Sequence, residues 1–423
     1  MTKHIKISSK YYSLPITFSL LFSGLTIFFR YGKMIHQFKS MKIAFIGQKG
    51  IPTKQGGIEK HVQELSTRLA KADFDVTVYS RPYYTGSHRT KYGQIKIVNL
   101  PSLKTKNFDA ISHTFLASIH AIFQNYDIIH YHGVGPSLMS WIPRLFNPCA
   151  KVIATFHCVD RKHQKWGLIA RTMLGLGEWA TCRFPHETIV VSETLKKYCE
   201  YRFDRQTTYI PNGVQINHSK QKSDILANYG LKQDRYLLIV SRLVKHKGIH
   251  TLIEAYQKTK TNQKLVIVGT GSNTNNYIDY LKELAQGNEN IIFTGQKSGN
   301  DLETLFRGAY AFVQPSEAEG LSIALLEAIA YGLPVIISNI EENIEAANGF
   351  GIVFENRNIN DLSNKITWVI KNKALIKKQA RVAKNKINQK YNWTDIASQT
   401  SELYQNIVAE NRNRKYLPKI ILK

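Results

Sequence analysis

At 423 residues and 43% hydrophobic side chains, the chain is too long for one ordinary core and too apolar for disorder, and its size suits two domains. Its four cysteines, Cys149, Cys158, Cys182 and Cys199, show no Cys-x-x-Cys spacing; they suggest neither a zinc site nor a disulfide framework, and a reducing cytoplasm fits. The net charge is +26, spread over every part of the chain, so the favoured partners are polyanions: nucleic acid, an anionic membrane surface or phosphorylated ligands.

Residues 1–40 carry six basic and no acidic residues. Within them YYSLPITFSLLFSGLTIFF (11–29) is a charge-free run of 19 residues, just long enough to span a bilayer. Pro15 and several Ser, Thr and Tyr make it a weak span, both flanks are basic, and no small-residue cleavage site follows. Two expectations stand side by side: an N-terminal membrane anchor, or an upstream extension of the reading frame with MKIAFIG at Met41 as the natural start.

From Met41 short β-branched runs alternate with helical periods, the signature of a parallel sheet covered by helices. KIAFIG (42–47) reads as a strand, followed by a Gly-rich loop and the helix IEKHVQELSTRLAKA (58–72). Strands DVTVYS (75–80), QIKIVNL (94–100), DIIHYH (127–132), KVIATF (151–156) and ETIVVS (187–192) follow, and the turn PNG (211–213) closes a first domain over 41–214. Residues 215–234 are polar, lack a strong period and read as a linker. The alternation restarts with YLLIVS (236–241), KLVIVG (264–269), NIIFTG (290–295), AYAFVQ ending at Gln314, and LPVIIS (333–338), a second domain over 235–394. The stretch 359–410 is helical, and between Asp361 and Asp395 it has nine basic residues and no acidic one: a solvated helix face or a contact with anionic lipid. Residues 395–423 read as a C-terminal helix and basic tail. The expected fold class is α/β, two tandem Rossmann-like doubly wound domains. Ligands of such sheets bind outside the carboxyl ends of the strands, here in the interdomain cleft.

Two carboxylates stand out in PSEAEGLSIALLEAIAYGLPV (315–335), where Glu319 and Glu327 interrupt an otherwise apolar run. LSIALLEAIAYG reads as a helix stopped by Gly332, with Pro334 just beyond. Glu319 and Gly320 then sit at its N-terminal mouth, and the free N–H groups around Gly320, Leu321 and Ser322 form a ready phosphate site. A carboxylate repels phosphate, so the two glutamates are better suited to accept hydrogen bonds from hydroxyls. A ligand with a diphosphate and hydroxyls on both sides is a sugar nucleotide. Arg242 and Lys247 follow the first strand of the second domain and either neutralise that diphosphate or belong to an ordinary basic loop. In DIIHYHG, alternation puts His130 and His132 on one side of a strand and Tyr131 on the other; His157 follows the next strand. Each of these histidines reads either as a site residue or as a satisfied structural one. Asp160 is a candidate contact for an acceptor hydroxyl.

SRLVKHKG, VGTGSNTNNYIDYL, IIFTGQ and PSEAEGLSIALLEAIAYGLPVI, in this order and spacing, resemble the second domain of retaining glycosyltransferases of family 4, of the GT-B architecture. IGQKGIPTKQGGIEKHVQELSTRLAKADFDVTVYSR (46–81) resembles that family's first-domain opening, and TFHCVDRKHQKWG (155–167) and TIVVSETLKKY (188–198) resemble a subgroup that builds bacterial surface polysaccharides. IPNGV (210–214) is similar to its domain closure, and the likeness covers 41 to about 410. Glu319 and Glu327 match the E-x7-E motif. The resemblance implies that Arg242 and Lys247 hold the donor diphosphate, Glu327 the ribose hydroxyls and Glu319 the transferred sugar. It implies that Gly56 and Gly57 let backbone approach the diphosphate or the acceptor, although KQGGIE by itself also fits a plain turn. His132 matches the family's active-site histidine better than His130 does. The family offers no agreed side-chain nucleophile; the leaving diphosphate takes the acceptor proton in a front-face attack.

No metal and no cofactor are expected. The sole Asp-x-Asp pair, Asp73-Phe74-Asp75, falls in a turn on the side away from the strand tips. A nicotinamide oxidoreductase fits poorly, because the first loop reads GQKGIPTKQGG rather than G-x-G-x-x-G. A sugar-nucleotide epimerase, a phosphorylase and a catalytically inactive membrane-associated scaffold remain as alternatives. The expected partners are a UDP-, GDP- or dTDP-sugar donor, a polyprenyl-diphosphate-linked glycan acceptor and an anionic membrane surface, with no nucleic acid. The expected location is the cytoplasm, peripheral on the inner face of the plasma membrane or anchored by 11–29.

Overall fold

The computed structural model describes residues 40–105, 108–162, 167–216, 223–271 and 274–416. The charge-free run 11–29 lies outside the described residues; among those described, no helix is long and apolar enough to cross a membrane.

Fourteen strands form two sheets among the described residues. The first holds β1 (Lys42–Ile46), β2 (Asp75–Ser80), β3 (Lys91–Tyr92), β4 (Ile95–Asn99), β5 (Ile128–His132), β6 (Lys151–Phe156), β7 (Glu187–Val190) and β8 (Thr208–Tyr209). Its order is β3-β4-β2-β1-β5-β6-β7-β8, parallel except for β3. The second holds β9 (Tyr236–Val240), β10 (Lys264–Val268), β11 (Ile291–Gly295), β12 (Ala311–Gln314), β13 (Val335–Ser338) and β14 (Ile352–Phe354), in the parallel order β11-β10-β9-β12-β13-β14. The near-continuous apolar strands follow from this: Ile43, Ala44, Phe45 and Ile46 are all fully buried because helices cover both faces of the sheet. The three strands not anticipated, β3, β8 and β14, have two or three residues each, too few for a period of two to register.

Strand order reverses beside β1 and β5 in the first sheet and beside β9 and β12 in the second. At such switch points adjacent connections leave in opposite directions and open a crevice at the carboxyl ends. The loops after β1, β5 and β6 and those after β9 and β12 carry nearly all of the candidate site residues.

The helix Trp393–Tyr416 returns from the second domain to the first. Its Trp393, Ile396 and Tyr404 are buried with Val62, Leu65 and Leu69 of the helix Gly57–Lys71, in the apolar core under the first sheet. The two crossings run side by side: Val214 N–H donates to the Tyr391 carbonyl at 2.7 Å, and a Cβ on Gly213 would lie 2.5 Å from the Trp393 ring. In the polar segment between the domains, Ile225 and Leu231 are buried in the same cluster as Phe306 and Phe312 of the second domain. The basic run is the outer face of the helix Lys373–Lys390, which buries only Ile376, Ala380, Ala383 and Ile387. Asp234 takes two of its lysines, Lys373 at 2.6 Å and Lys377 at 2.8 Å.

Trp393 thus ties the crossing to the first-domain core. Truncation to alanine is expected to lower the unfolding free energy by about 3–5 kcal/mol, measured by urea denaturation; a loss under about 1 kcal/mol would mean that the returning helix is not part of that core.

Candidate functional site

The second-domain half of the site is built by two loops pressed together. Gly248 has a left-handed φ of 67°, and a Cβ there would lie 2.0 Å from the Pro315 carbonyl oxygen, so only glycine lets the loop after β9 approach the loop after β12 this closely. Glu317 N–H donates to the His246 carbonyl at 2.8 Å and closes the seam. Lys247 Nζ thereby comes to 2.5 Å from Glu319 Oε1, and the pair is largely buried, with side-chain exposures of 14% and 7%. Gln314, at the carboxyl tip of β12, donates from Nε2 to the same Glu319 oxygen at 2.6 Å. A buried ion pair contributes little net stability, because desolvation offsets the attraction. This pair holds a carboxylate in one orientation at the cleft. Gln314 was not anticipated; its signal is an amide at the end of the otherwise apolar strand AFVQ.

The next helix begins at Ile323, because Ser322 Oγ accepts from Leu325 N–H and caps it. The Ser322 oxygen also accepts from Gln314 Nε2 at 3.3 Å, so the turn offers the cleft backbone N–H groups and the Ser322 O–H. Among the described residues the amides of Gly320, Leu321 and Ser322 donate to no backbone carbonyl. Glu327 lies four residues into the helix and pairs with Lys60 of the first domain. Arg242 is half-buried, and among the described residues it pairs with no carboxylate.

The first-domain half starts at Gly56, whose φ of 104° and lack of Cβ let the helix Gly57–Lys71 begin against Glu59; a Cβ would lie 2.0 Å from Glu59 Oε2. The nearest atom to a Cβ on Gly57 is Ile323 Cδ1 at 4.0 Å, so the N-termini of two helices, one from each domain, face each other across the cleft. Their dipoles make the gap electropositive. Tyr84 accepts from the amides of Lys54 and Gln55 at 2.7 and 3.0 Å and steadies the preceding loop. Gln296 of the second domain donates to the Lys54 carbonyl.

Four histidines lie beneath. His130 and His132 share one side of β5, with ring centres 4.1 Å apart, while Tyr131 on the other side bonds Ser118 at 2.7 Å. His130 has both ring nitrogens satisfied, by Tyr404 Oη at 2.5 Å and Thr155 Oγ1 at 2.7 Å, and is structural. His132 Nδ1 bonds His157 Nε2 at 3.1 Å. His132 is 1% exposed and His157 is 7% exposed, so His157 is the more open of the two to the cleft. Burial holds both imidazoles well below their usual pKa range, and each is neutral at pH 7. His61, mid-helix in EKHV, completes the cluster and was not anticipated; its sequence signal is its place on the buried face with Val62, Leu65 and Leu69. Asp160 accepts from the Cys158 thiol at 3.2 Å, and burial together with this carboxylate pushes that thiol well up. The charges of Arg242 and Lys247 reach Cys158 and act in the opposite sense, so this turn of the first domain faces the cationic pair of the second. Asp73 precedes β2 and Asp75 begins it, at the end of the sheet away from the strand tips, and Asp75 pairs with Lys96 at 2.8 Å.

Two half-sites at two switch points, joined by a closed cleft, define the GT-B architecture of glycosyltransferases. Two family models together span most of the chain: Glycosyltransferase Family 4 over residues 55–218, and Glycosyl transferases group 1 over residues 221–389. The chain is a two-domain glycosyltransferase, a family 4 domain followed by a group 1 domain. It is 26% identical to an uncharacterized glycosyltransferase of Methanocaldococcus jannaschii, over 86% of this chain and 98% of the relative. It is 27% identical to the O-antigen chain mannosyltransferase C of Escherichia coli, over 71% and 80%. It is 28% identical to the N,N'-diacetylbacillosaminyl-diphospho-undecaprenol alpha-1,3-N-acetylgalactosaminyltransferase of Campylobacter jejuni, over 53% and 62%. Among solved structures, sucrose-phosphate synthase from Thermosynechococcus elongatus superposes with a TM-score of 0.75 at 23% identity, covering 88% of this chain and 100% of that one. Anabaena Alr3699/HepE, solved in complex with UDP and glucose, superposes at 0.72 with 20% identity, covering 86% and 100%. At these identities the superpositions show the fold.

Gly320 brings the backbones of the halves close together: a Cβ there would lie 1.7 Å from the His157 carbonyl oxygen. Gly320→Ala is expected to pry the cleft apart and weaken nucleoside diphosphate binding by about tenfold or more, a loss of roughly 1.4 kcal/mol. Calorimetric titration measures it; an affinity within twofold of the parent's would show that the contact does not shape the site.

Proposed function

We propose that this glycosyltransferase moves a sugar from a nucleotide-sugar donor to a polyprenyl-diphosphate-linked glycan, with retention of the anomeric configuration, in the assembly of a bacterial surface polysaccharide. The observation that carries the reading is the convergence of Arg242, Lys247 and two opposed helix N-termini on one gap flanked by Glu319 and Glu327. The cations and free amides suit a diphosphate; the carboxylates suit hydroxyls on either side of it. Glu327 accepts from the ribose once Lys60 is displaced, and Glu319, oriented by Lys247 and Gln314, accepts from the transferred sugar.

As the bond to the leaving diphosphate breaks, charge builds on its oxygens, next to Lys247 and the amides of Gly320 and Leu321. This arrangement supplies the electrostatic stabilisation for which other sugar transferases hold a divalent ion on an Asp-x-Asp pair. Gly56, Gly57, His157 and Asp160 face the acceptor side, with His132 positioning His157. The names of the Escherichia coli and Campylobacter jejuni relatives support an O-antigen-like or undecaprenyl-linked acceptor. The net charge of +26 supports work beside an anionic membrane at the cytoplasmic face.

Two measurements test this. Thermal unfolding with UDP, GDP, dTDP and NAD, all at one concentration about 100 times the dissociation constant expected of the donor nucleotide, is expected to show stabilisation of about 2.7 kcal/mol with one nucleoside diphosphate and none with NAD. In a transfer assay with a lipid-linked acceptor, Lys247→Ala and Glu319→Gln are each expected to lower kcat by roughly 100- to 1,000-fold, with added Mg2+ leaving the parent rate within about twofold. Unchanged rates in both variants would remove these residues from the site.

A further inference from the structure

His61, His132 and His157 come from three different elements, the helix Gly57–Lys71, the tip of β5 and the turn after β6, yet they meet in one buried cluster. One ring nitrogen of each lies within 4.8 Å of those of the other two. The ring centres are 5.4 Å apart for His61–His132, 4.9 Å for His61–His157 and 5.4 Å for His132–His157. Three imidazoles on one tetrahedral ion, at about 2.0–2.1 Å per nitrogen, have nitrogens roughly 3.4 Å apart and ring centres roughly 5.2 Å apart. The observed ring spacings bracket that value, and the 3.1 Å His132–His157 nitrogen separation is close to it.

The surroundings fit as well. Asn212 Nδ2 donates to the Leu321 carbonyl at 2.7 Å, which turns Asn212 Oδ1 toward His61 Nδ1 at 2.8 Å. That carboxamide oxygen can only accept, so His61 carries its proton on Nδ1 and a lone pair on Nε2. A fixed tautomer of this kind is what a metal ligand's outer partner imposes. Burial keeps the rings neutral, the form in which a nitrogen can be given to a metal. His132 Nε2 is buried and finds no partner among the described residues; the ring nitrogen beside His157 is Nδ1.

We propose that His61, His132 and His157 form a three-imidazole site for one first-row divalent transition metal of the zinc and cobalt type, at the floor of the cleft. No further protein ligand joins the three among the described residues, so a fourth position is open. Three neutral ligands leave the ion its full charge of two, which favours an anionic oxygen there. The site lies against the backbone of Gly320 and Leu321, on the first-domain side, and is separate from the diphosphate cations Arg242 and Lys247. His132 and His157 are shared with the acceptor side of the transfer reading above, on which this proposal does not rest, and the readout below is metal binding, not sugar transfer.

The test uses the full chain, stripped with chelator and titrated with Co2+, following the visible absorption of nitrogen-coordinated tetrahedral cobalt. The expected result is a band that saturates at one equivalent and is bleached by Zn2+. His61→Ala and His157→Ala, each checked for retained fold by circular dichroism, are expected to abolish it, and Asn212→Ala to weaken binding by about 10- to 100-fold. Absence of the band in the parent chain overturns the proposal. So does a band that persists unchanged in both histidine variants, since the metal then sits on other histidines.

Discussion

The molecule depends on one close approach, the backbone of Gly320 against the carbonyl of His157. A single added carbon would separate them, and everything chemically active lies within a few residues on either side. On one side are the donor-loop amides, Glu319 and Lys247; on the other are the histidine cluster, Cys158 and Asp160. Asn212 reinforces the seam by bonding His61 of the first domain and the Leu321 carbonyl of the donor loop with one carboxamide. The returning helix Trp393–Tyr416 keeps the domains in register from behind, through Trp393 at the crossing and Tyr404 on His130.

Electrostatics then explains why carboxylates sit in an apolar run of so basic a chain. Glu319 and Glu327 are each held by a lysine, Lys247 within the second domain and Lys60 from across the cleft. The two pairs differ in what a ligand does to them. Lys247 and Glu319 are bound within one domain and fixed further by Gln314, so they form a preset surface. Lys60 and Glu327 bridge two domains, and a ligand that opened the cleft would part them. That contact holds the two domains together across the cleft.

Most of the fold was legible in the sequence, because buried parallel strands announce themselves as apolar runs. β2 and β6 have the anticipated bounds, and most of the longer strands differ by only one or two residues at their ends. The turn at Gly332 was legible for the same local reason, a left-handed glycine after an apolar helix. What stayed hidden was non-local. Nothing in EKHV says that His61 meets two strand tips, nothing in AFVQ says that Gln314 orients Glu319, and nothing near Lys60 says that its partner lies in the other domain. Alternation puts His130 and His132 on one face and only the family resemblance favoured His132; the physical reason that His130 is structural, its bond to the returning Tyr404, is non-local. The helix starts at Ile323, two residues later than LSIALLEAIAYG suggested, with Ser322 as its cap.

The central claim is that the cleft holds a diphosphate, through Arg242, Lys247 and two helix N-termini. The most direct measurement is a calorimetric titration of the full chain, in chelating buffer, with a nucleoside diphosphate and with its parent nucleoside. The account predicts that the diphosphate binds about 100-fold tighter or more, a difference of roughly 2.7 kcal/mol, and that raising salt narrows the gap. Equal affinities for the two would contradict it, because recognition would then rest on the base and ribose alone.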